Sequence, residues 1–72
     1  MEIKVGHQTF RNNCILKIEN VKYQLKFIKI ELNRHSIELQ KLNSSEAPDV
    51  IGEYIDGKIA TNGRLFHAEL VK

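Results

Sequence analysis

The clearest alternation of apolar and polar residues runs through twelve residues, 21–32 (VKYQLKFIKIEL). Val21, Tyr23, Leu25 and Phe27 fall on one face at period two, while lysines and a glutamine fall on the other. The segment is rich in β-branched and aromatic residues and contains neither Gly nor Pro, so it predicts a β-strand. Such a strand would be roughly 40 Å long, about twice the usual length.

The alternation in this strand changes phase at Phe27-Ile28, and Ile30 and Leu32 carry the apolar positions onward. Two adjacent apolar residues at a phase change predict a β-bulge, which bends a strand and re-aims its side chains. A strand bent in the middle can take part in two sheets at once, as in small β-barrels.

We therefore predict an all-β fold, a small antiparallel β-barrel or tight sandwich of five to six strands built from successive hairpins. The fold is similar to SH3-like and OB barrels in size and strand pattern only, and fold by itself does not give function. Residues 1–72 are expected to form a single small β domain, because this length is near the lower limit for an unaided core.

The first predicted hairpin has a tight turn at Glu19-Asn20, since Asn tolerates the positive φ that such turns require. With this turn every apolar residue except Ile15 lies on one side of the ribbon, and a slip of one residue would scatter them. The predicted apolar pairs are Ile18 with Val21, Leu16 with Tyr23, and Cys14 with Leu25. The same register places Lys17 opposite Lys22 on the polar side.

A second hairpin is predicted with its turn at residues 33–36, followed by a loop at residues 43–49 that collects Asn, Ser, Pro and Asp. Residues 36–42 alternate well and are predicted as a strand rather than a short helix. The predicted pairs are Leu32 with Ile37, Ile30 with Leu39, Phe27 with Leu42, and Glu31 with Glu38.

The last third carries two turn signals, Asp56-Gly57 and Asn62-Gly63, which are too close together for two full hairpins. A turn at Asn62-Gly63 gives the better register. Its predicted pairs are Ile59 with Phe66, Gly57 with Ala68, and Ile55 with Leu70. The alternative is a meander with turns at both sites and a very short strand at residues 58–61.

Composition narrows the class of protein without naming its activity. Hydrophobic residues make up 42% and charged residues 28% of the chain, which is typical of a globular domain. One cysteine excludes an intramolecular disulfide, and no long apolar run predicts a membrane segment, so we expect a cytoplasmic protein without membrane contact. Lysines outnumber arginines eight to three, as is typical of an AT-rich coding sequence from a low-GC bacterium or its phage.

The chain lacks the common catalytic and cofactor motifs, including a Walker loop, CxxC, HExxH and a nucleophile elbow. His7, His35, His67 and Cys14 match no standard zinc spacing, so we predict a buried thiol and three surface histidines. Two carboxylate pairs, Glu31 with Glu38 and Asp56 with Glu69, are expected on solvated strand faces. We therefore predict no catalytic residue, no cofactor, no metal and no enzyme activity.

The strongest candidate for a binding site is the basic ribbon, which is formed by Lys17, Lys22 and Lys26 with Arg11 expected near its end. Ile15 points to the same side. Like charges directly opposite on a sheet are destabilising, which favours an anionic partner such as phosphate or an acidic protein surface. The other interpretation is edge protection, since lysines on exposed strands discourage aggregation.

Three hypotheses about function follow. The first is a protein-binding module, a small phage or mobile-element inhibitor or adaptor that uses the basic ribbon, Ile15 and an edge strand. The same edge could support a homodimer, because the core is small. The least favoured of the three is a metal protein or enzyme that uses the histidines and the cysteine.

The second hypothesis is a small nucleic-acid-binding β-barrel, which would present aromatic side chains for stacking beside the lysines. Tyr23, Phe27 and Phe66 are assigned to the core, which leaves only Phe10 and Tyr54 for stacking. The net charge of +2 is also lower than is usual for this class. These observations place nucleic acid behind protein as the expected partner.

Overall fold

The computed structural model describes residues 1–71, which form eight β-strands and one short 3₁₀ helix. The strands are β1 (Glu2–Val5), β2 (Gln8–Arg11), β3 (Ile15–Ile18), β4 (Val21–Glu31), β5 (Arg34–Lys41), β6 (Asp49–Ile55), β7 (Lys58–Thr61) and β8 (Glu69–Leu70), and the helix spans Arg64–His67. Six strands form one curled antiparallel sheet in the order β7-β6-β5-β4-β3-β8, and β1 pairs with β2 in a separate hairpin. The predicted all-β, barrel-like fold is confirmed.

The first hairpin has the predicted register. Ile18 lies opposite Val21 and Lys17 opposite Lys22, across a two-residue turn in which Glu19 and Asn20 both have positive φ. The ribbon continues past β3 through a bulge at Asn13-Cys14: the Asn13 N–H donates to the Leu25 carbonyl (2.7 Å), and the Leu25 N–H donates to the Cys14 carbonyl (2.9 Å). Cys14 therefore lies beside Leu25, as predicted.

The predicted register of the second hairpin is wrong. The turn is Leu32-Asn33, and it closes on Glu31 opposite Arg34, so Phe27 lies opposite Ile37 rather than Leu42. The observed register places Leu25, Phe27, Ile37 and Leu39 together in the core, since Leu25 lies opposite Leu39 and Phe27 opposite Ile37. The predicted register would also have buried Ile30 and Leu32, which are exposed.

The predicted bulge at Phe27-Ile28 is also wrong in position. Strand β4 alternates regularly through these residues, with Phe27 buried on one face and Ile28 exposed on the other. The register instead shifts between Lys29 and Glu31, close to the turn. The two adjacent apolar residues mark a strand with apolar positions on both faces, not a change of face.

The last hairpin follows the alternative prediction up to residue 61. Asp56-Gly57 forms a tight turn in which both residues have positive φ, and Lys58–Thr61 is the short strand β7. Asn62-Gly63 does not form a hairpin but leads into the 3₁₀ helix, so the predicted pairing of Ile59 with Phe66 is wrong.

A glycine in β6 allows β7 to lie close beside it. A Cβ at Gly52 would overlap the carbonyl oxygen of Ala60 and lie 2.8 Å from the Thr61 Cα. These contacts involve backbone atoms, which cannot move aside without parting the two strands.

The core lies between the concave inner face of the sheet and the elements that cover it. The β1–β2 hairpin contributes Ile3 and Phe10, and the 3₁₀ helix contributes Leu65. The Gln8 side chain joins the hairpin to β8: its Nε2 donates to the Ala68 carbonyl (2.8 Å), and its Oε1 accepts from the Leu70 N–H (3.0 Å). The hairpin thus continues the curl of the sheet into a partial barrel.

Candidate functional site

The convex outer face of the sheet carries the predicted lysines. Lys17 and Lys22 lie directly opposite each other, and Lys22 and Lys26 share a face because side chains alternate along β4. Ile15 lies two residues before Lys17 on β3 and opposite Gln24, half-buried on the same face. The structure therefore brings these four predicted site residues together.

Carboxylates on the neighbouring strands reduce the positive charge of this face. Glu69 on β8 lies opposite Lys17, and Glu38 on β5 lies opposite Lys26. None of the three lysines comes within 4.0 Å of a carboxylate in residues 1–71, so all three ammonium groups stay available to a partner. Lys22, whose neighbour across β5 is Leu42, carries the least compensated charge.

Arg11 does not belong to the same sheet as the lysines. It ends β2 in the two-stranded sheet, where it lies opposite Glu2, and its Nε donates to a Glu2 carboxylate oxygen at 3.2 Å. Its charge is therefore shared with a cross-strand partner, and it is the weakest member of the predicted site.

A second feature of the outer face is a group of exposed apolar side chains, between 42% and 63% exposed, which we call the apolar patch: Ile28, Val50 and Ile55, with Ile30 nearby at the register shift between Lys29 and Glu31. Residues directly opposite on a sheet share a face. Val50 lies opposite Glu38, which lies opposite Lys26, so Val50 is on the lysine face. Ile28 follows Lys26 by two residues and is on that face as well.

Ile55 lies on the same face, next to an ion pair between Arg34 and Glu53. Ser36 lies opposite both Ile28 and Glu53, and Ile55 follows Glu53 by two residues on β6. Arg34 lies opposite Ile55 and donates from Nε to Glu53 Oε1 at 3.2 Å. The hydrogen bond and charge of Glu53 raise the pKa of Arg34, which therefore remains charged. This ion pair joins β5 to β6 within the apolar patch.

The apolar patch is the part of the outer face that the sequence reasoning missed. Ile30 was expected in the core opposite Leu39, and this assignment came from the incorrect register of the second hairpin. The available signal was Phe27-Ile28 itself, because two consecutive apolar residues in a regular strand must point to opposite faces.

The histidines and the cysteine lie on separate elements. His7 is exposed in the β1–β2 turn, His67 is exposed in the 3₁₀ helix, and His35 is half-buried on β5. Within residues 1–71 no group of three or more His, Cys, Asp or Glu side chains is placed to hold a metal ion. Burial raises the pKa of the half-buried Cys14 thiol.

His35 borders a shallow pocket at the end of the sheet. The pocket has a volume of about 370 Å³, and its lining residues are Leu32, Asn33, His35, Tyr54, Asp56 and Gly57. The rings of His35 and Tyr54 meet edge to face, with their centroids 6.3 Å apart. His35 Nδ1 is buried and makes no hydrogen bond within the described residues.

The two carboxylate pairs considered from the sequence are not formed as pairs. Glu31 lies opposite Arg34, and Glu38 lies opposite Lys26 and Val50. Asp56 lies in the β6–β7 turn, and Glu69 lies on β8 at the other edge of the sheet. Each carboxylate thus has a different neighbour from the one that acid-base chemistry would require.

Two aromatic assignments are wrong. Phe10, expected to be free for stacking, is fully buried in the core, and Phe66, expected in the core, is 74% exposed on the 3₁₀ helix. Tyr23 is half-buried against the core, with the guanidinium of Arg64 at 5.3 Å from its ring centroid. Phe10 is buried because the β1–β2 hairpin covers the core, and Phe66 is exposed because Leu65 is the residue of the 3₁₀ helix that enters the core.

Comparison with protein-family models, with curated proteins and with solved structures finds no match for this chain. In residues 1–71 there is no helix with the length and hydrophobicity needed to cross a membrane.

Proposed function

We propose that this chain is a non-catalytic protein-binding module, an inhibitor or adaptor that works in the cytoplasm. It binds a partner through the outer face of the six-stranded sheet. The observation that carries this proposal is the apolar patch around Ile28, Val50 and Ile55, three residues that lie on the same face as Lys17, Lys22 and Lys26. Arg34, Ser36 and Glu38 of β5 lie between the apolar residues of β4 and those of β6, so this face combines exposed apolar side chains with charged ones, as protein interaction sites commonly do.

The charges around the patch define the partner. Lys22 and Lys26 precede Ile28 on the same face of β4, so a surface that fits combines apolar groups with acidic groups on the side of these lysines. Such charges mainly set the association rate and the choice of partner, while the apolar contacts supply most of the affinity.

A protein fits this face better than a nucleic acid does. The residues on the outer face of β3 and β4 are lysine, glutamine and isoleucine, and no aromatic residue is among them. Single-stranded nucleic acids bind to small barrels by stacking on aromatic side chains beside basic groups. The two glutamates opposite Lys17 and Lys26 would also repel phosphates.

The experiment that tests this proposal is affinity capture from a lysate of the source organism, with and without nuclease. We expect a discrete protein that survives nuclease and is lost when Lys17, Lys22 and Lys26 are all changed to glutamate. A matched control changes Lys4, Lys29 and Lys41, which alters the net charge equally but lies off the outer face, and it should retain the partner.

Loss of the captured material on nuclease treatment would replace this proposal with the nucleic-acid one. Equal capture by the two triple variants would show that the outer face is not the binding surface. Circular dichroism and thermal melting of both variants establish that each one is folded.

A further inference from the structure

One edge of the six-stranded sheet is already covered. At β8 the Gln8 carboxamide donates to the Ala68 carbonyl and accepts from the Leu70 N–H, as a neighbouring strand would do. An edge whose donors and acceptors are occupied cannot template another strand. Further strands cannot add at β8 while Gln8 is in place.

The other edge, β7, is open. Within residues 1–71 the only strand that pairs with β7 is β6. The two-residue turn closes on Ile55 and Lys58, and the Asn62 N–H donates to the Ile51 carbonyl at 2.8 Å, so alternate residues of β7 bond to β6. By this alternation the N–H and C=O of Ile59 and Thr61 point away from β6, toward solvent.

Strand β7 has only part of the protection usual for an edge strand. Natural edge strands are protected by shortness, by lysines, by proline or by a bulge, and β7 has the first two but not the last two. Strand β7 has the sequence KIAT, pairs with β6 without a register shift, and leaves Ile59 40% exposed. An open groove of about 320 Å³ runs along the same hairpin, lined by Glu53, Ile55, Asp56, Lys58, Ile59 and Ala60.

We propose that β7 pairs antiparallel with β7 of a second copy of this chain, joining two six-stranded sheets into one of twelve strands. A twofold axis normal to the sheet at Ile59 places the two Ile59 residues opposite each other, and these exchange the outward N–H···O=C bonds. This inference does not depend on the proposed partner, because it uses the edge of the sheet and leaves the outer face free.

Complementary charges on Lys58 and Glu53 favour a second copy of this chain as the partner of β7, in the register with Ile59 at the axis. With Ile59 at the axis, Lys58 lies opposite Ala60 of the second copy, and Glu53 of that copy is the next residue across, since Glu53 pairs with Ala60. Two strand spacings are about 10 Å, which a lysine and a glutamate side chain span together over a small alanine. Arg34 donates both of its hydrogen bonds to Glu53 Oε1, so Glu53 Oε2 is free to accept from Lys58 of the other copy.

The next symmetric register, with Ala60 at the axis, lacks these interactions. It would place Lys58 opposite Asn62 and Ile59 opposite Thr61 of the second copy, so both the isoleucine contact and the two ion pairs are lost. The geometry therefore favours the register with Ile59 at the axis over the one with Ala60 at the axis.

Sedimentation equilibrium over a range of concentrations tests this inference. The full chain is expected to rise from the 8.3 kDa monomer toward twice that mass by about 1 mM, where even a weak interface associates. Ile59→Lys should remain monomeric, because it adds a charge at the axis. Leu32→Lys, which adds the same charge at an exposed leucine in the β4–β5 turn, should dimerise as the unchanged protein does.

A second measurement needs no variant. The amide of Ile59 should exchange with deuterium more slowly as protein concentration rises, because its hydrogen-bond partner belongs to the second copy. Each of three results would overturn the inference. These are a chain that stays monomeric at every concentration, an Ile59 amide whose exchange rate does not change with concentration, and an Ile59→Lys protein that still dimerises. The proposed function is tested separately: if Ile59→Lys is monomeric but still captures the partner protein, the outer face binds that partner without the dimer.

Discussion

Cys14 lies half-buried against the core at the Asn13-Cys14 bulge, with Leu25 opposite. Removal of the thiol from water disfavours the thiolate, so the pKa of Cys14 is raised in the folded chain. The folded state thus holds the proton more tightly than the unfolded state does. Stability is unaffected below the ordinary thiol pKa of about 8.5 and falls as pH rises from there toward the folded value.

This linkage predicts a difference between the unchanged protein and Cys14→Ala. Between about pH 7.5 and pH 10, the free energy of unfolding should fall more for the unchanged protein, because only it contains a thiol that must ionise in an apolar site. Urea unfolding at several pH values measures the two slopes. Parallel pH profiles would contradict the burial of this thiol.

The same residue shows what sequence can predict at the level of one side chain. The face on which Cys14 lies followed from the alternation of β3 and β4 and was predicted correctly. The exposure of Phe10 and Phe66 was not, because it depends on which distant element covers the core and on no property of the neighbouring residues.

Among the elements, the turns explain which registers could be predicted. Glu19 and Asn20 both adopt positive φ, and an asparagine at such a position is a recognisable signal. Neither Leu32 nor Asn33 has positive φ in the described chain, and a leucine in a turn gives no signal at all. The second hairpin therefore had to be placed by apolar pairing, which failed because β4 carries apolar residues on both faces.

The first turn also predicts a stabilising change. Glu19 has a φ of 50°, a conformation that costs most residues roughly 1–2 kcal/mol and asparagine less. Glu19→Asn should therefore raise the free energy of unfolding by about 0.5–1 kcal/mol. Glu69→Asn, at an exposed glutamate in a strand, is the control and should give no gain. Denaturant midpoints compare the two, and equal effects would contradict the turn geometry.

Across the whole molecule, Gln8 determines how the sheet is closed. One side chain connects the β1–β2 hairpin to β8 through two hydrogen bonds that are both partly buried. No pattern in the sequence identifies a glutamine at position 8 as a substitute for a strand, because its partners are 60 and 62 residues away. The partial barrel is thus a property of the assembled chain.

Gln8→Ala should lower the free energy of unfolding by about 1–3 kcal/mol, because it leaves a partly buried N–H and C=O without partners. It should also uncover the β8 edge and promote association at high concentration. Gln24→Ala removes a half-buried glutamine whose single long bond to the Asn13 carbonyl (3.3 Å) is exposed to solvent, and it is the matched control. A similar loss in both variants would show that Gln8 has no special role.

The candidate surface is also a property of the whole sheet. Its lysine half followed from the register of one hairpin and could be predicted from the sequence. Its apolar half combines residues from β4 and β6, including Ile28, Val50 and Ile55, and depends on two further strand pairings and the register shift in the β5–β6 pairing. Those pairings depend on the curvature of the sheet over the core, which local patterns do not encode.

The central claim is that the outer face binds a protein, and nuclear magnetic resonance titration of the isotope-labelled chain with its captured partner tests it most directly. The account predicts that the largest shift changes occur at Lys22, Lys26, Ile28, Val50 and Ile55, while the β1–β2 hairpin is unchanged. Changes concentrated in the β1–β2 hairpin or around the His35 pocket, with the outer face unaffected, would contradict it.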